Sequence, residues 1–213
     1  MENEFWAAVV GAIVGSASGG LITLLLQLSQ DRRQASEHNQ ALARSLIFKL
    51  IRIASDLHLF KVHTDECAER AEQDKLPIGW QSFRPIANLP DRVSFSSEEM
   101  SYLLSLKDDK LFDKVLSLDV LHSSTVGIFE LYKERRLALT DMLAATMDGM
   151  VGTTALNDAQ KAFFDPKAAE LDLLVSDIRK RVEEDASQSR EALEETNAAI
   201  AETLGKPLVL KFK

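Results

Sequence analysis

The chain has 213 residues, of which 46% are hydrophobic and 27% charged, and its formal net charge is −8. This acidic balance argues against general nucleic-acid binding, which usually requires a basic excess. The single cysteine, Cys67, excludes a disulfide framework within one chain. Glycine and proline are scarce over most of the chain, while good helix formers are frequent, so the composition favours an all-α fold.

An uncharged segment runs from Phe5 to Leu28, after a short acidic head at residues 1–4. As a helix it extends about 36 Å, which is enough to cross a hydrocarbon core of about 30 Å. The segment therefore predicts a single N-terminal transmembrane helix. A cleaved signal peptide is the alternative, but signal peptides begin with basic residues, whereas this chain begins with Glu2 and Glu4.

Basic residues follow the predicted span, beginning with Arg32 and Arg33. The positive-inside rule places such a flank in the cytoplasm. The sequence therefore predicts a single-pass protein of the cell inner membrane of a bacterium. Its N-terminus would lie outside and its C-terminal domain would be cytoplasmic.

Small residues recur on one side of the predicted span. They are Ala8, Gly11, Ala12, Gly15 and Gly19. Small side chains at this spacing let two helix backbones approach closely, as in GxxxG pairing. The pattern favours pairing of the span with a second copy or with another membrane protein. The alternative, that glycine is simply common in membrane helices, stays open.

The rest of the chain has the periodicity of amphipathic helices, and it predicts an antiparallel bundle with long helices. We expect a helical joint at residues 29–40, a cytoplasmic bundle at 41–207 and a tail at 208–213. The first predicted helix ends near Lys75. The following helices are predicted at Ser96–Lys107, Asp109–Met147 and Asp165–Leu204, with a short helical piece at Leu156–Phe164. Whether one helix continues from the span into the bundle stays open.

Local signals mark several helix ends. Ser96 with Glu99 forms a capping-box pattern, and Asp165-Pro166 has the pattern of a helix start. Gly205 is a typical helix stop. The predicted core stripes include Leu104 and Leu137.

A proline-rich loop of roughly 20 residues follows the first predicted helix and is long for a compact domain. Trp80, Phe83 and Ile86 are expected to fasten this loop to the helices. Trp80 and Phe83 are also candidate partner-binding residues. Glu191, Glu194 and Glu195 on the acidic last helix are further candidates, because they could meet a basic partner.

We find no catalytic, cofactor or metal-binding motif in the sequence. His58 and His63 are separated by five positions, which places them about 140° apart on a helix and does not suit a metal site. Asp119 and His122 lie three apart near a core stripe. We expect them to form a buried hydrogen-bonded pair, and an enzymatic role for this pair is the less favoured alternative.

The layout of a short head, a glycine-rich span, the Arg32-Arg33 flank and a helical domain resembles that of many small bacterial membrane proteins. The resemblance is architectural, covers mainly residues 1–33 and assigns no functional residue. The sequence favours a non-enzymatic, membrane-tethered scaffold or protein-interaction module without a cofactor. Its partners would be the lipid bilayer, itself or another membrane protein, and a cytoplasmic protein. The alternative is an oligomerising effector or sensor whose span assembles and permeabilises the membrane.

Overall fold

The computed structural model describes the backbone of residues 2–141, 146–148, 151–153 and 156–205, and the side chains of residues 26–141 and 156–205. The chain divides into two compact units, Met1–Arg44 and Ser45–Lys213. Over the described residues, the elements in chain order are α1 (Glu2–Gln73), α2 (Ser97–Ser105), α3 (Asp109–Thr140), β1 (Thr146–Asp148), β2 (Val151–Thr153) and α4 (Asp158–Leu204). The predicted all-α class is confirmed, with one addition: β1 and β2 form a small antiparallel pair.

The predicted span, Phe5–Leu28, lies within α1. Except for its last three residues, it falls outside the side chains that the structure describes, and so does the stripe of small residues from Ala8 to Gly19. Among the described residues, no helix combines the length and the apolar character needed to cross a membrane. The span and its packing face therefore stay predictions.

One hydrophobic core joins α1, α3, α4 and the segment between α1 and α2. Its buried members are Ile53, Leu57, Phe60, Cys67, Phe83, Val93, Val126, Phe129, Tyr132, Leu139, Leu171, Val175, Ile178 and Val182. Burying each large apolar side chain contributes about 1.5–3 kcal/mol. The stripe predicted for the first helix is confirmed, since its members from Leu46 to Phe60 are buried.

The helix directions correct the predicted arrangement. α4 runs antiparallel to α3, because Arg135 pairs with Glu170 near one end of α4 and Lys114 pairs with Glu195 near the other. In contrast, α1 and α3 run parallel. Phe60 stacks on Phe129, and one helical turn earlier on α1 the Asp56 carboxylate bonds an earlier α3 residue. The bundle is therefore not antiparallel throughout.

The segment at residues 74–96, here called the return segment, explains how two consecutive long helices can be parallel. It runs back along α1 in the opposite direction. The backbone carbonyl of Arg84 lies 2.8 Å from His63 Nε2, and the carbonyl of Ser94 accepts from Lys49 Nζ at 2.9 Å. An extended strap thus occupies the place of an antiparallel helix.

Two predicted helix ends are confirmed and two are wrong. The Ser96–Glu99 capping box is present, and Gly205 adopts the left-handed conformation after α4. However, α4 begins at Asp158 and continues through Pro166, because Asn157 and Gln160 form an unforeseen capping box. α3 ends at Thr140 rather than near Met147, and β1 begins at Thr146, within the stretch predicted as helix.

Two residues of the predicted core stripes are exposed. Leu104 and Leu137 point away from the core, while Tyr102 and Leu139 are buried on the same helices. The core buries the residue two positions before Leu104 and the residue two positions after Leu137.

Lys75 ends α1 in the left-handed region, with φ of 53°. The hydrogen bonds from Leu76 N to Ala71 O and from Lys75 N to Glu72 O define a Schellman motif, which favours glycine at this position. We expect Lys75→Gly to raise the free energy of unfolding by about 0.5–1 kcal/mol in urea denaturation of the full chain in detergent. Lys180→Gly, in the exposed middle of α4, should lower it by about 1 kcal/mol. A destabilised Lys75→Gly would contradict the assigned helix end.

Candidate functional site

A pocket of ≈ 350 Å³ lies between α1 and the return segment. α1 contributes Asp56 and His63, which are two helical turns apart and therefore share a face. The return segment contributes Asn88 and the apolar side chains of Ile86 and Leu89. The pocket is thus mainly apolar, with a few polar groups on one wall, as ligand sites usually are.

Asp56 is held from behind by His122 of α3. Nε2 of His122 lies 3.1 Å from Oδ2 of Asp56, and the imidazole is completely buried. Burial lowers the pKa of His122, and the bond to Asp56 opposes that effect without cancelling it. A neutral ring that donates through Nε2 leaves Nδ1 as an acceptor, and this atom has no partner among the described residues. The expected carboxylate–imidazole pair exists, but Asp119 is the wrong carboxylate.

His63 contributes a second acceptor to the pocket. Its Nε2 lies 2.8 Å from the carbonyl of Arg84, so Nε2 must carry a proton in order to donate, and Nδ1 holds a lone pair in the neutral ring. Cys67 Sγ is 3.6 Å from the same nitrogen, and this contact is the main reason that the pKa of His63 is raised. Burial would raise the pKa of Cys67, but the contact with His63, the backbone of Arg84 and the charge of Arg70 together outweigh burial, and the pKa is lowered.

The residues first weighed as metal ligands do not come together. His63 and Cys67 touch, whereas His58 lines a different groove. The described part of the chain contains no group of three or more potential ligands of these types. Cys67 is only 2% exposed, so its sulfur is out of reach of a substrate.

A second concave surface, the α1–α4 groove, has a volume of ≈ 480 Å³. Four small residues form its floor where the two helices approach: Ala54, Ser55, Ala186 and Ser187. Charged side chains lie along its rim. Lys61 bridges to Glu183, and Arg190 pairs with Glu194 at 3.4 Å. The groove has the shape of a seat for a helix, with small residues that allow close approach.

The residues predicted as a partner surface lie in different places. Phe83 is in the core, 1% exposed, so it anchors the return segment instead of forming a surface. Trp80 is partly buried and packs edge-on against Phe164. Glu191 and Glu195 both bind Lys114, at 3.2 Å and 2.7 Å. Glu194 lines the α1–α4 groove.

A buried polar contact between α3 and α4 was not foreseen. Thr125 donates to Asp185 Oδ2 at 2.6 Å in the interior, and Arg181 donates to Ser124 at 2.9 Å beside it. Burial raises the pKa of Asp185. This contact fixes the register of α3 against α4. Its sequence signal was weak, because Asp185 stands in an acidic run that reads as a solvated face.

The comparisons with known proteins give no relative. No protein-family model matches the chain, and no curated protein or solved structure is significantly similar to it.

The Asp56–His122 pair makes stability depend on pH. Because the folded-state pKa of His122 is lowered, the unfolded state binds its proton more readily. This contribution to stability is present above the ordinary pKa of 6.5 and is lost as pH falls through that value towards the lower folded pKa. We expect His122→Gln to cost about 1–3 kcal/mol at pH 7.5 and to flatten the loss of stability between pH 7.5 and 5. His58→Gln, at an exposed position, should leave the slope unchanged, and a wild-type slope in His122→Gln would refute this assignment.

Proposed function

We propose that the protein is a non-enzymatic, membrane-tethered helical interaction module of the cell inner membrane, with its bundle on the cytoplasmic face. The tether is the uncharged segment Phe5–Leu28, and the basic pair Arg32-Arg33 sets its orientation. Confinement to the membrane surface raises the effective concentration of the bundle for its partners. The burial of His122 and Cys67 supports the non-enzymatic part of the proposal, since neither side chain is accessible to a substrate.

The observation that carries the proposal is the α1–α4 groove. Its small-residue floor suits an amphipathic helix that packs closely against α1 and α4. The α4 side of the groove is acidic: among its lining residues, Glu183 and Glu194 stand against the one cation Arg190. The partner that fits best is therefore a helix with small residues on its docking side and basic residues on the flank that faces α4.

The tether is tested by fractionation and carbonate extraction of bacterial membranes from cells that express the full chain. We expect wild type and Ile13→Leu/Val14→Leu to stay in the membrane after the wash. Ile13→Lys/Val14→Lys should be released, because each lysine at mid-span costs about 2.5–3.5 kcal/mol. A protease should cleave the bundle in inverted vesicles and not in spheroplasts. Wild type that washes off would overturn the tether.

The groove is tested with two labelled model peptides, amphipathic alanine–leucine helices that carry either a lysine flank or a glutamate flank. Fluorescence anisotropy with the full chain in detergent should show saturable binding of the lysine peptide only. Ser187→Phe fills the groove and should abolish that binding, and Glu194→Lys should weaken it. Ser176→Phe makes the same change on an exposed part of α4 outside the groove and should bind like wild type. Equal binding of both peptides would rule out an acidic docking flank.

The second candidate function, an oligomerising membrane effector or sensor, is favoured by the outward face of α1. Phe48 and Leu59 are 68% and 63% exposed, and Val62 is also exposed on this face. With Ser55, these residues follow one another at steps of seven, four and three, the spacing of a seam between paired helices. Two copies pairing along α1 would cover this stripe.

Cysteine crosslinking separates the two candidates. In a Cys67→Ser background, Phe48→Cys should form disulfide dimers in membranes if α1 pairs, and Leu59→Glu/Val62→Glu should prevent it. Ser176→Cys is the matched control on α4. The effector further requires that overexpression depolarises cells and that Gly15→Leu abolishes the depolarisation. Monomeric Phe48→Cys and unchanged membrane potential would leave only the tethered module.

A further inference from the structure

We propose that the pocket between α1 and the return segment binds a small organic monocation, an ammonium or guanidinium group on an apolar body. Three features of the pocket carry this inference: an anionic floor, a second acceptor on the same wall and an apolar mouth. The inference is independent of the membrane tether and of the α1–α4 groove. It assigns a ligand class to a site that neither of those proposals uses.

The charge of the pocket floor comes from Asp56. Its side chain is 13% exposed. Among the described residues, the wholly buried His122 is its one side-chain hydrogen-bond partner, and the bond uses one carboxylate oxygen, Oδ2. His122 is neutral and supplies no charge to balance the carboxylate. Arg52, one turn away on α1, is directed to Asp91 at 3.7 Å. A carboxylate fixed from behind and open in front is the group that an ammonium or guanidinium recognises.

His63 makes the wall an acceptor surface. Since its Nε2 proton is used on the Arg84 carbonyl, its Nδ1 offers a lone pair when the ring is neutral. An anionic ligand would be repelled by the Asp56 charge, and the described residues that line the pocket include no lysine or arginine to offset it. A cationic donor would satisfy both acceptors, so this wall of the pocket favours cationic ligands over anionic ones.

The mouth of the pocket is apolar. Leu59 is 63% exposed there, and Ile86, Leu89 and Pro90 complete the opposite wall. These side chains would cover a short hydrocarbon or aromatic body next to the cationic head. A volume of ≈ 350 Å³ suits such a small ligand and lies near the lower end of the range for small-molecule sites.

The test uses the full chain in detergent, with 2-phenylethylamine as the probe and 2-phenylethanol as its uncharged counterpart. Both carry the same apolar body, so micelle partitioning is matched while charge differs. Isothermal titration at pH 8 should show saturable binding of the amine only. Asp56→Asn keeps an acceptor for His122 and removes the charge, so it should weaken binding roughly tenfold or more. Asp177→Asn, at an exposed carboxylate of α4 outside the pocket, should bind within about twofold of wild type.

A second variant keeps the test decisive if Asp56→Asn is unstable. Leu59→Lys replaces an exposed residue and brings its own ammonium to within a helical turn of Asp56, so it should fold normally and lose amine binding. Propylguanidine and an arginine-containing tripeptide with blocked ends then distinguish a free ligand from a protein side chain as the source of the cation. Binding of the alcohol as tight as that of the amine would overturn the proposal. So would full amine binding to Leu59→Lys, or no saturable binding to wild type.

Discussion

Replacing Phe129 by alanine should lower the free energy of unfolding by about 3–5 kcal/mol, the largest loss we expect from a single apolar residue. Phe129 is 2% exposed and stacks on Phe60 with ring centroids 4.5 Å apart. It also lies 6.2 Å from the ring of Phe83 in the return segment. Its removal therefore opens a cavity where α1, α3 and the return segment meet, and no neighbouring side chain can fill it without moving a whole element.

The measurement is denaturant unfolding of the full chain in detergent, followed by the fluorescence of Trp80, which is partly buried against the core. Leu173→Ala is the matched control, because Leu173 is 70% exposed on α4 and its truncation should change stability by less than about 0.5 kcal/mol. A double-mutant cycle between Phe60→Ala and Phe129→Ala should give a coupling of about 0.5–1.5 kcal/mol. A loss below about 1 kcal/mol for Phe129→Ala would mean that the three elements do not share this core.

The helices were predictable because their signals are local. The steps of three and four from Leu46 to Phe60 identify a buried face, and the Ser96–Glu99 capping box identifies a start that the structure confirms. The false start at Asp165-Pro166 shows the limit of such signals. Proline fits the first turn of a helix best. Pro166 nevertheless lies inside α4, because the helix begins earlier, at the capping box formed by Asn157 and Gln160.

The parallel arrangement of α1 and α3 was not predictable from helix patterns. It depends on the return segment, which carries no periodicity and is held by backbone carbonyls. Lys133 donates to the carbonyl of Ala87 at 2.7 Å, and Tyr132 donates to that of Phe83 at 2.6 Å. Backbone acceptors exist at every residue, so the sequence does not single out the ones that are used.

The pocket was missed for a related reason. Asp56 follows a stripe of core residues and looks like an ordinary charged flank, and its partner His122 lies 66 positions further along the chain. The sequence did show that His122 stands in a core stripe and needs a carboxylate. The sequence suggested Asp119 as this carboxylate because that residue is close to His122 in the chain. In the fold, the carboxylate comes from Asp56 on the parallel helix α1. The spacing of residues along the chain predicts side-chain contacts within one helix, but it does not predict contacts between helices.

Removing Glu99 should have the second large effect, because this carboxylate ties α2 to α1. Its side chain is only 3% exposed and accepts from Lys49 at 2.7 Å, from Ser45 at 2.6 Å and from its own cap residue Ser96 at 2.7 Å. Glu99→Leu leaves these three donors without their acceptor. We expect it to lower the free energy of unfolding by about 2–4 kcal/mol, since Lys49 keeps some contact with water. Glu98→Leu, next to it and exposed, should stay within about 0.5 kcal/mol of wild type.

The pH dependence of Glu99 distinguishes an ionic contact from simple packing. Burial would raise the pKa of Glu99, but the hydrogen bonds from Lys49, Ser45 and Ser96 outweigh burial and hold the pKa below its ordinary value of 4.5. The contribution is therefore present above pH 4.5 and is lost as pH falls through that value towards the lower folded pKa. The stability difference between wild type and Glu99→Gln should be largest near pH 7 and should shrink as the pH falls towards 3. A difference that stays constant over this range would show that Glu99 acts through its shape and neutral hydrogen bonds, and not through its charge.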